Sequence, residues 1–314
     1  MKFLVTGSTG LVGRQIIKDL VVSNEQIFSC YHDSKPEHGI ATPLDLTNSE
    51  NIIKVAENTK PDVIIHLAAV TNVDQCEKEK DLALKINAKA TETLAKQASR
   101  FGAFLVYVST DYVFDGESGL KKENDTPNPV NYYGKSKLEG EKGLDDMASA
   151  WCIARTSTPF GLHKIKKSFP LFVAENLKSK KQITALTDQF TSPTYVPNLS
   201  KMIIEISTRQ ITGIIHTAGA TRVSRYDMAS LVAEKLHLDK DLIKSGTMKE
   251  MNWIAKRPKD SSLDVSKATR ILSQATRLPS APSAQSPSGV SACRRISPCS
   301  ALTTSWIPST RPRR

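Results

Sequence analysis

The opening thirteen residues constrain the fold most. Lys2–Gly7 ("KFLVTG") is an apolar run that ends on glycine, and Gly10–Leu20 continues with Leu11, Val12, Ile16, Ile17 and Leu20 at helical spacing. A buried strand that turns through glycine directly into a helix is how a parallel sheet begins. The alternation continues along the chain. Gln26–His32 ("QIFSCYH"), Asp62–Ala69 ("DVIIHLAA") and Ala103–Thr110 ("AFLVYVST") read as strands. Asn51–Lys60, ended by Pro61, and Asp81–Gly102, closed by glycine, read as helices. Strands that are apolar on both faces and alternate with helices predict an α/β fold, a doubly wound parallel sheet over residues 1–160. Residues 161–274 read as a smaller mixed α/β lobe, with turns around Asp188–Pro197 ("DQFTSPTYVP") and a helix near Tyr226–Leu236.

The turn "TGSTGLVG" places Gly7, Gly10 and Gly13 between the first strand and the first helix. Its spacing is G-x-x-G-x-x-G, looser than G-x-G-x-x-G. A helix that starts here aims its amides at the sheet edge, which suits a pyrophosphate and makes the sheet Rossmann-type. The other reading is a plain strand–helix turn in which Gly13 eases packing. After the second strand, in "YHDSK", Asp33 suits a ribose hydroxyl, while His32 and Lys35, with Ser8 and Thr9, suit a 2′-phosphate. NADH and NADPH both stay open, with a slight lean to NADPH. Asp45-Leu46 follows, either seating adenine or capping a turn.

"NYYGKSKLEGEKGL" (Asn131–Leu144) carries the chemistry. On a helix, residues four apart share a face, so Tyr133 meets Lys137, whereas Tyr132 meets Ser136. An ammonium beside a phenol favours phenolate and lowers its pKa from about 10, as a general acid for carbonyl reduction requires. A surface Tyr–Lys pair is the plainer alternative. Upstream, Ser109 and Thr110 end a buried strand, where open α/β sheets bind ligands. A hydroxyl there can reach both a substrate carbonyl and Tyr133, or simply cap a turn.

Five blocks in order, "TGSTGLVG", "HLAA" (His66–Ala69), "STDYVFDG", "YGKSKLEGE" and "RPKDSSLD" (Arg257–Asp264), resemble the extended short-chain dehydrogenase/reductases and, more narrowly, the dTDP-4-dehydrorhamnose reductase family. The resemblance spans roughly residues 1–274. It implies Thr110, Tyr133 and Lys137 as the catalytic trio. It implies that Gly7, Gly10, Leu11, Val12 and Gly13 cradle the pyrophosphate and that Asp45 and Leu46 lie against adenosine. Ala68, Ala69 and Thr71 would border the cofactor, Tyr133 and Lys137 would also touch it, and Asn87 would complete a proton path. Thr110, Asp111, Thr158 and Arg257 would meet the substrate, a nucleotide-linked 4-keto sugar reduced at C4 by NADPH or NADH. Thr158 stands where these reductases usually carry tryptophan, a departure at the sugar. The same blocks resemble the regulatory beta subunit of methionine adenosyltransferase, which implies instead an NADP-binding, non-catalytic partner. Thr191, Ser192 and Thr194 can line a sugar–nucleotide pocket or serve turns around Pro193. Arg257 can grip a diphosphate or form a structural ion pair.

The net charge of +11 invites a nucleic-acid reading, but six arginines and no acids fall within residues 275–314, leaving +5 for residues 1–274. That tail also holds six of the sixteen prolines and shows no apolar periodicity. It reads as a disordered, non-family segment of the kind that a shifted reading frame produces, so no nucleic-acid partner is expected. No run suits a membrane span, and "MKFLVTG" enters the fold with no signal peptide, so no membrane contact is expected. The five cysteines lack metal spacing, so no metal site is expected and reduced thiols in a cytoplasmic protein are the simpler reading. A homodimer is one open assembly.

Overall fold

The computed structural model describes residues 1–163 and 167–273. Six strands form in sequence order: β1 (Lys2–Thr6), β2 (Gln26–Tyr31), β3 (Ile40–Pro43), β4 (Val63–His66), β5 (Phe104–Thr110) and β6 (Trp151–Thr156). Four short strands follow, β7 (Pro159–Phe160), β8 (Ile183–Leu186), β9 (Phe190–Thr191) and β10 (Thr194–Tyr195), and then β11 (Gly213–His216). The central sheet runs β3-β2-β1-β4-β5-β6-β11, with every pair parallel. The order reverses between β1 and β4, so the crevice at their carboxyl ends is the ligand position of an open α/β sheet.

Alternate strand residues feed two cores, which is why the strands are apolar throughout. Phe3 and Val5 pack with Ile16, Ile17 and Leu20 of α1 (Leu11–Val22) and with Leu199 and Ile203 farther along the chain. Leu4, Ile64 and Leu105 pack on the other face with Ile52 of α2 (Ser49–Thr59) and with Leu94 and Ala98. The expected Asp81–Gly102 helix is one body in three parts. After α3 (Val73–Lys78), it runs as α4 (Lys80–Leu84), a π-helical turn at Lys85–Lys89 and α5 (Ala90–Phe101), ending at Gly102 with φ +67°. Such π turns cluster at functional positions, and this one carries Asn87.

α6 (Tyr132–Met147) begins where the Asn131 side chain accepts from Gly134 N at 2.9 Å. Beyond β6 lie α7 (Phe169–Lys178), α8 (Val196–Arg209) and α9 (Arg225–Lys235). The second lobe has its own core, in which Val173, Leu177, Ile183, Val232 and Ile243 are buried together. Its sequence boundary at residue 160 is not a spatial one. Leu199 and Ile203 of α8 join the core under α1, and β11 is the seventh strand of the main sheet. The periodicity could not show this, because a crossover that returns to the sheet edge reads like any other helix–strand step. The tail expectation for residues 275–314 lies outside the described residues.

Candidate active site

A cleft of about 480 Å³ opens at the carboxyl ends of β1, β2 and β4. Thr6, Gly7, Thr9, Asp33, Asp45, Leu46, Ala68 and Ala69 are among the residues that line it. A Cβ added at Gly13 would sit 2.2 Å from the Gly7 carbonyl oxygen, so only glycine lets α1 start this close to the strand. Leu11 and Val12 open that helix, Gly10 lies just before it, and Gly10 N donates to Gly7 O at 3.0 Å. The HLAA block is positioned by its histidine. Thr6 Oγ1 bonds His66 Nδ1 at 2.7 Å and accepts the backbone N–H groups of Leu67 and Ala68 at 3.1 Å. The cleft, the glycine turn and the helix N-terminus together fit a dinucleotide.

Some expectations shift. Ser8 is buried and donates to Cys30 O at 2.7 Å, so it is not free to meet a 2′-phosphate. Lys35 is exposed and is not among the cleft residues, whereas His32, Asp33 and Ser34 are. Asp45 both caps a turn and lines the cleft. Thr47 donates to it from its hydroxyl and its backbone, each at 2.8 Å, and holds the carboxyl below the usual range. Thr71 follows Val70, the last of the Ala68–Val70 lining stretch.

Two glycines let α6 approach the sheet. A Cβ at Gly140 would meet Asn87 O at 2.4 Å and Tyr107 Oη at 2.5 Å, and one at Gly134 would meet Tyr112 O at 2.0 Å. The helix then presents Tyr133 and Lys137 beside Thr110 on β5. The phenol of Tyr133 is half-buried and within hydrogen-bonding reach of the Thr110 hydroxyl. Lys137 is buried, donates to Val108 O at 2.8 Å and lies 4.0 Å from the Tyr107 ring centroid. Tyr132 turns outward, with Lys80 and Lys135 over its ring at 5.3 and 5.7 Å. Of the adjacent tyrosines, only Tyr133 faces the site.

The expected lowering of the Tyr133 pKa is not what this site does by itself. Burial raises the phenol above its ordinary value, and the Thr110 hydrogen bond opposes that only in part. Burial also pushes Lys137 down to about 7, against the pull of Glu141. Desolvation dominates both shifts. The phenol is therefore held protonated, the form from which a proton can be given.

Several substrate expectations resolve differently. Thr110 donates to Asp111 Oδ1 at 3.0 Å, and Ser157 donates to Asp111 Oδ2 at 2.7 Å. With Ser261 also bonded to it, the buried Asp111 carboxylate is spent on protein hydroxyls and serves to orient them. Arg257 pairs with Asp74 at 3.0 Å, the structural ion pair of the two readings. Thr191, Ser192 and Thr194 are buried in hydroxyl bonds with Thr158, Ser157 and Leu263. Thr158 has φ +41°, a strained value for a β-branched residue, and its hydroxyl meets Thr191 at 2.6 Å. Asn87 bonds Val70 through both N–H and C=O and donates to Ser136 at 2.9 Å. Its side chain is committed to holding the cleft against α6.

Sequence reasoning left Glu141, Arg155 and Arg225 unassigned. Glu141 ends the YGKSKLEGE block four residues past Lys137, which was a legible signal. Arg155 is buried against it at 2.6 Å. Arg225 Nε donates to Gln189 Oε1 at 3.3 Å, has no carboxylate at ion-pair distance among the described residues, and acts electrostatically on Asp111 and Tyr112.

The description "RmlD substrate binding domain" matches residues 1–279. The chain belongs to this family. A hypothetical dTDP-4-dehydrorhamnose reductase from Sulfolobus tokodaii is 40% identical, with a TM-score of 0.79, over 87% of this chain and 95% of that one. The dTDP-4-dehydrorhamnose reductase of Bacillus anthracis, solved with NADP, is 30% identical with a TM-score of 0.78, over 88% and 99%. The methionine adenosyltransferase 2 subunit beta of Xenopus tropicalis is 32% identical over 85% of this chain and 81% of its own length. Both resemblances noted in the sequence are thus found, and the reductase relatives are nicotinamide-dependent oxidoreductases. No helix among the described residues is long and apolar enough to cross a membrane.

Proposed function

We propose that this protein is an NADPH-dependent reductase of a nucleotide-linked 4-keto sugar, most like a dTDP-4-dehydrorhamnose reductase. One observation carries the reading. The dinucleotide cleft runs to Val70, and across the Val70–Asn87 bonds α6 brings Tyr133 and Lys137 to the Thr110 end of β5. Gly7, Gly10, Gly13 and the start of α1 would hold the pyrophosphate, with Asp45, Leu46, Ala68 and Ala69 around the adenosine half. When bound, the reduced nicotinamide supplies a hydride.

The chain's own residues then manage the proton and the charge. The Thr110 hydroxyl, whose one proton goes to Asp111 in the free protein, would redirect it to the substrate carbonyl and polarise it. Tyr133 gives its phenolic proton to the alkoxide that develops at C4. The Lys137 ammonium stabilises the phenolate left behind. NADPH is preferred over NADH because a relative at 30% identity was solved with NADP.

The likeness to the methionine adenosyltransferase subunit supports a second reading, a cofactor-binding regulator. A single experiment separates the two. Purified protein is supplied with NADPH or NADH and dTDP-4-dehydrorhamnose, with Tyr133→Phe alongside. Turnover abolished by Tyr133→Phe supports the reductase; tight NADPH binding without turnover supports the regulator.

A further inference from the structure

Glu141 is a buried charge that the proposed reaction does not use. It is 4% exposed. Its Oε1 accepts from Ser109 Oγ at 2.5 Å and from Arg155 Nε at 3.0 Å, and its Oε2 accepts from Arg155 Nη2 at 2.6 Å. Buried ion pairs are often no better for stability than apolar residues of the same volume, so stability alone does not account for it. Two placements do. Ser109 directly precedes Thr110 on β5, so the carboxylate is bonded to the strand that carries Thr110. Lys137 precedes Glu141 by one helical turn on α6, so their side chains share a face.

The groups that face Lys137 come from four elements. They are Tyr133 and Glu141 on α6, Cys76 on α3, Tyr107 on β5 and His66 on β4. Burial raises the phenols of Tyr107 and Tyr133 and pushes the Cys76 thiol up to about 11. Burial and the Lys137 ammonium push His66 down to about 3. All four are therefore neutral near pH 7. Among the described residues, Glu141 is the negative charge that acts on Lys137, opposing the burial that pushes the ammonium down.

We infer that Glu141 is a positioning residue: it ties α6 to the Thr110 strand through Ser109 and to β6 through Arg155, and its carboxylate, one helical turn from Lys137, favours the ammonium. Only the kinetic consequence rests on the reductase reading; the charge of Lys137 belongs to the protein without substrate.

The test compares wild type with Glu141→Gln, Glu141→Asp and Ser109→Ala. The thermal midpoint and the NADPH dissociation constant are followed from about pH 6 to 10, with Lys137→Met marking which pH-dependent step is that of Lys137. The alkaline limb of kcat/KM is measured in parallel. In Glu141→Gln the Lys137 step, the NADPH curve and the kinetic limb should all move to lower pH by about one unit. Ser109→Ala keeps the carboxylate, so it should leave the step in place while kcat falls by roughly threefold or more. A Glu141→Gln protein that melts earlier with the Lys137 step unmoved would reduce Glu141 to a structural strut and overturn the inference. If Glu141→Gln does not fold, Glu141→Asp decides by the same criterion with a smaller shift. Wild type without turnover, but with the step moved by Glu141→Gln, would remove the reductase reading and leave the role of Glu141 standing.

Discussion

Thr110 Oγ1 donates to one oxygen of Asp111 while Ser157 donates to the other, at 3.0 and 2.7 Å, and this fixes where the Thr110 hydroxyl points. The carboxylate accepts from both sides, which an amide cannot do, because its nitrogen would face a hydroxyl as a donor. Asp111→Asn is expected to fold, with stability lowered by about 1–3 kcal/mol, and to lose roughly tenfold or more in kcat. Urea denaturation and steady-state kinetics measure the two. Unchanged kcat would mean that Thr110 needs no orienting partner.

The closeness of α6 to the sheet depends on Gly140. A methyl group there would overlap the Asn87 carbonyl and the Tyr107 hydroxyl, on the same side of the helix as Lys137. Gly140→Ala is expected to cost about 1–3 kcal/mol by overpacking and to reduce turnover more than NADPH binding, since the cleft itself is not displaced. Gly143→Ala is the control. Its added Cβ would meet the nearest atom, of Glu92, at an ordinary 3.5 Å, and stability should change little.

The sheet and the shared helix face of Tyr133 and Lys137 were legible because each rests on a local period. Apolar runs on β1, β4 and β5 mark strands covered on both faces, and the four-residue spacing of Tyr133 and Lys137 sets them on one helix face. The partners of Asp111 and Arg257 were not legible, since Ser157, Ser261 and Asp74 are brought near only by tertiary folding. The upward push on the Tyr133 phenol was not legible for a related reason. Spacing shows the neighbouring ammonium, but burial, which dominates here, is a property of the packed site.

Arg225 is a cation without a carboxylate partner at ion-pair distance among the described residues, which suits it to a substrate anion. Arg222 is committed to Asp260 at 2.6 Å and Arg257 to Asp74 at 3.0 Å, whereas Arg225 donates to Gln189 at 3.3 Å, lies 5.2 Å from the Phe169 ring centroid and is felt by Asp111 and Tyr112. Under the reductase reading, its guanidinium fork suits a diphosphate. Arg225→Gln is expected to raise KM for the nucleotide sugar by about tenfold or more, with the NADPH dissociation constant unchanged. A change in NADPH affinity of the same size would place Arg225 on the cofactor side instead.

Lys137 gives the protein a pH dependence of definite sign. Burial brings its pKa down to about 7 in the folded chain from the ordinary 10.5, so between these values the unfolded chain binds more protons. Stability should therefore rise with pH across that window. Below about pH 7 the lysine is charged in both states and the full cost of burying the ammonium is present. That cost is relieved progressively above it, by at most about 5 kcal/mol at roughly 1.4 kcal/mol per pH unit. Lys137→Met should be more stable than wild type at pH 6 and should lack the rise, as followed by urea denaturation at a series of pH values. It should also have no turnover. A wild-type curve flat from neutral to alkaline pH would show that burial does not lower the Lys137 pKa, so that the lysine stays an ammonium throughout and the expected rise is wrong.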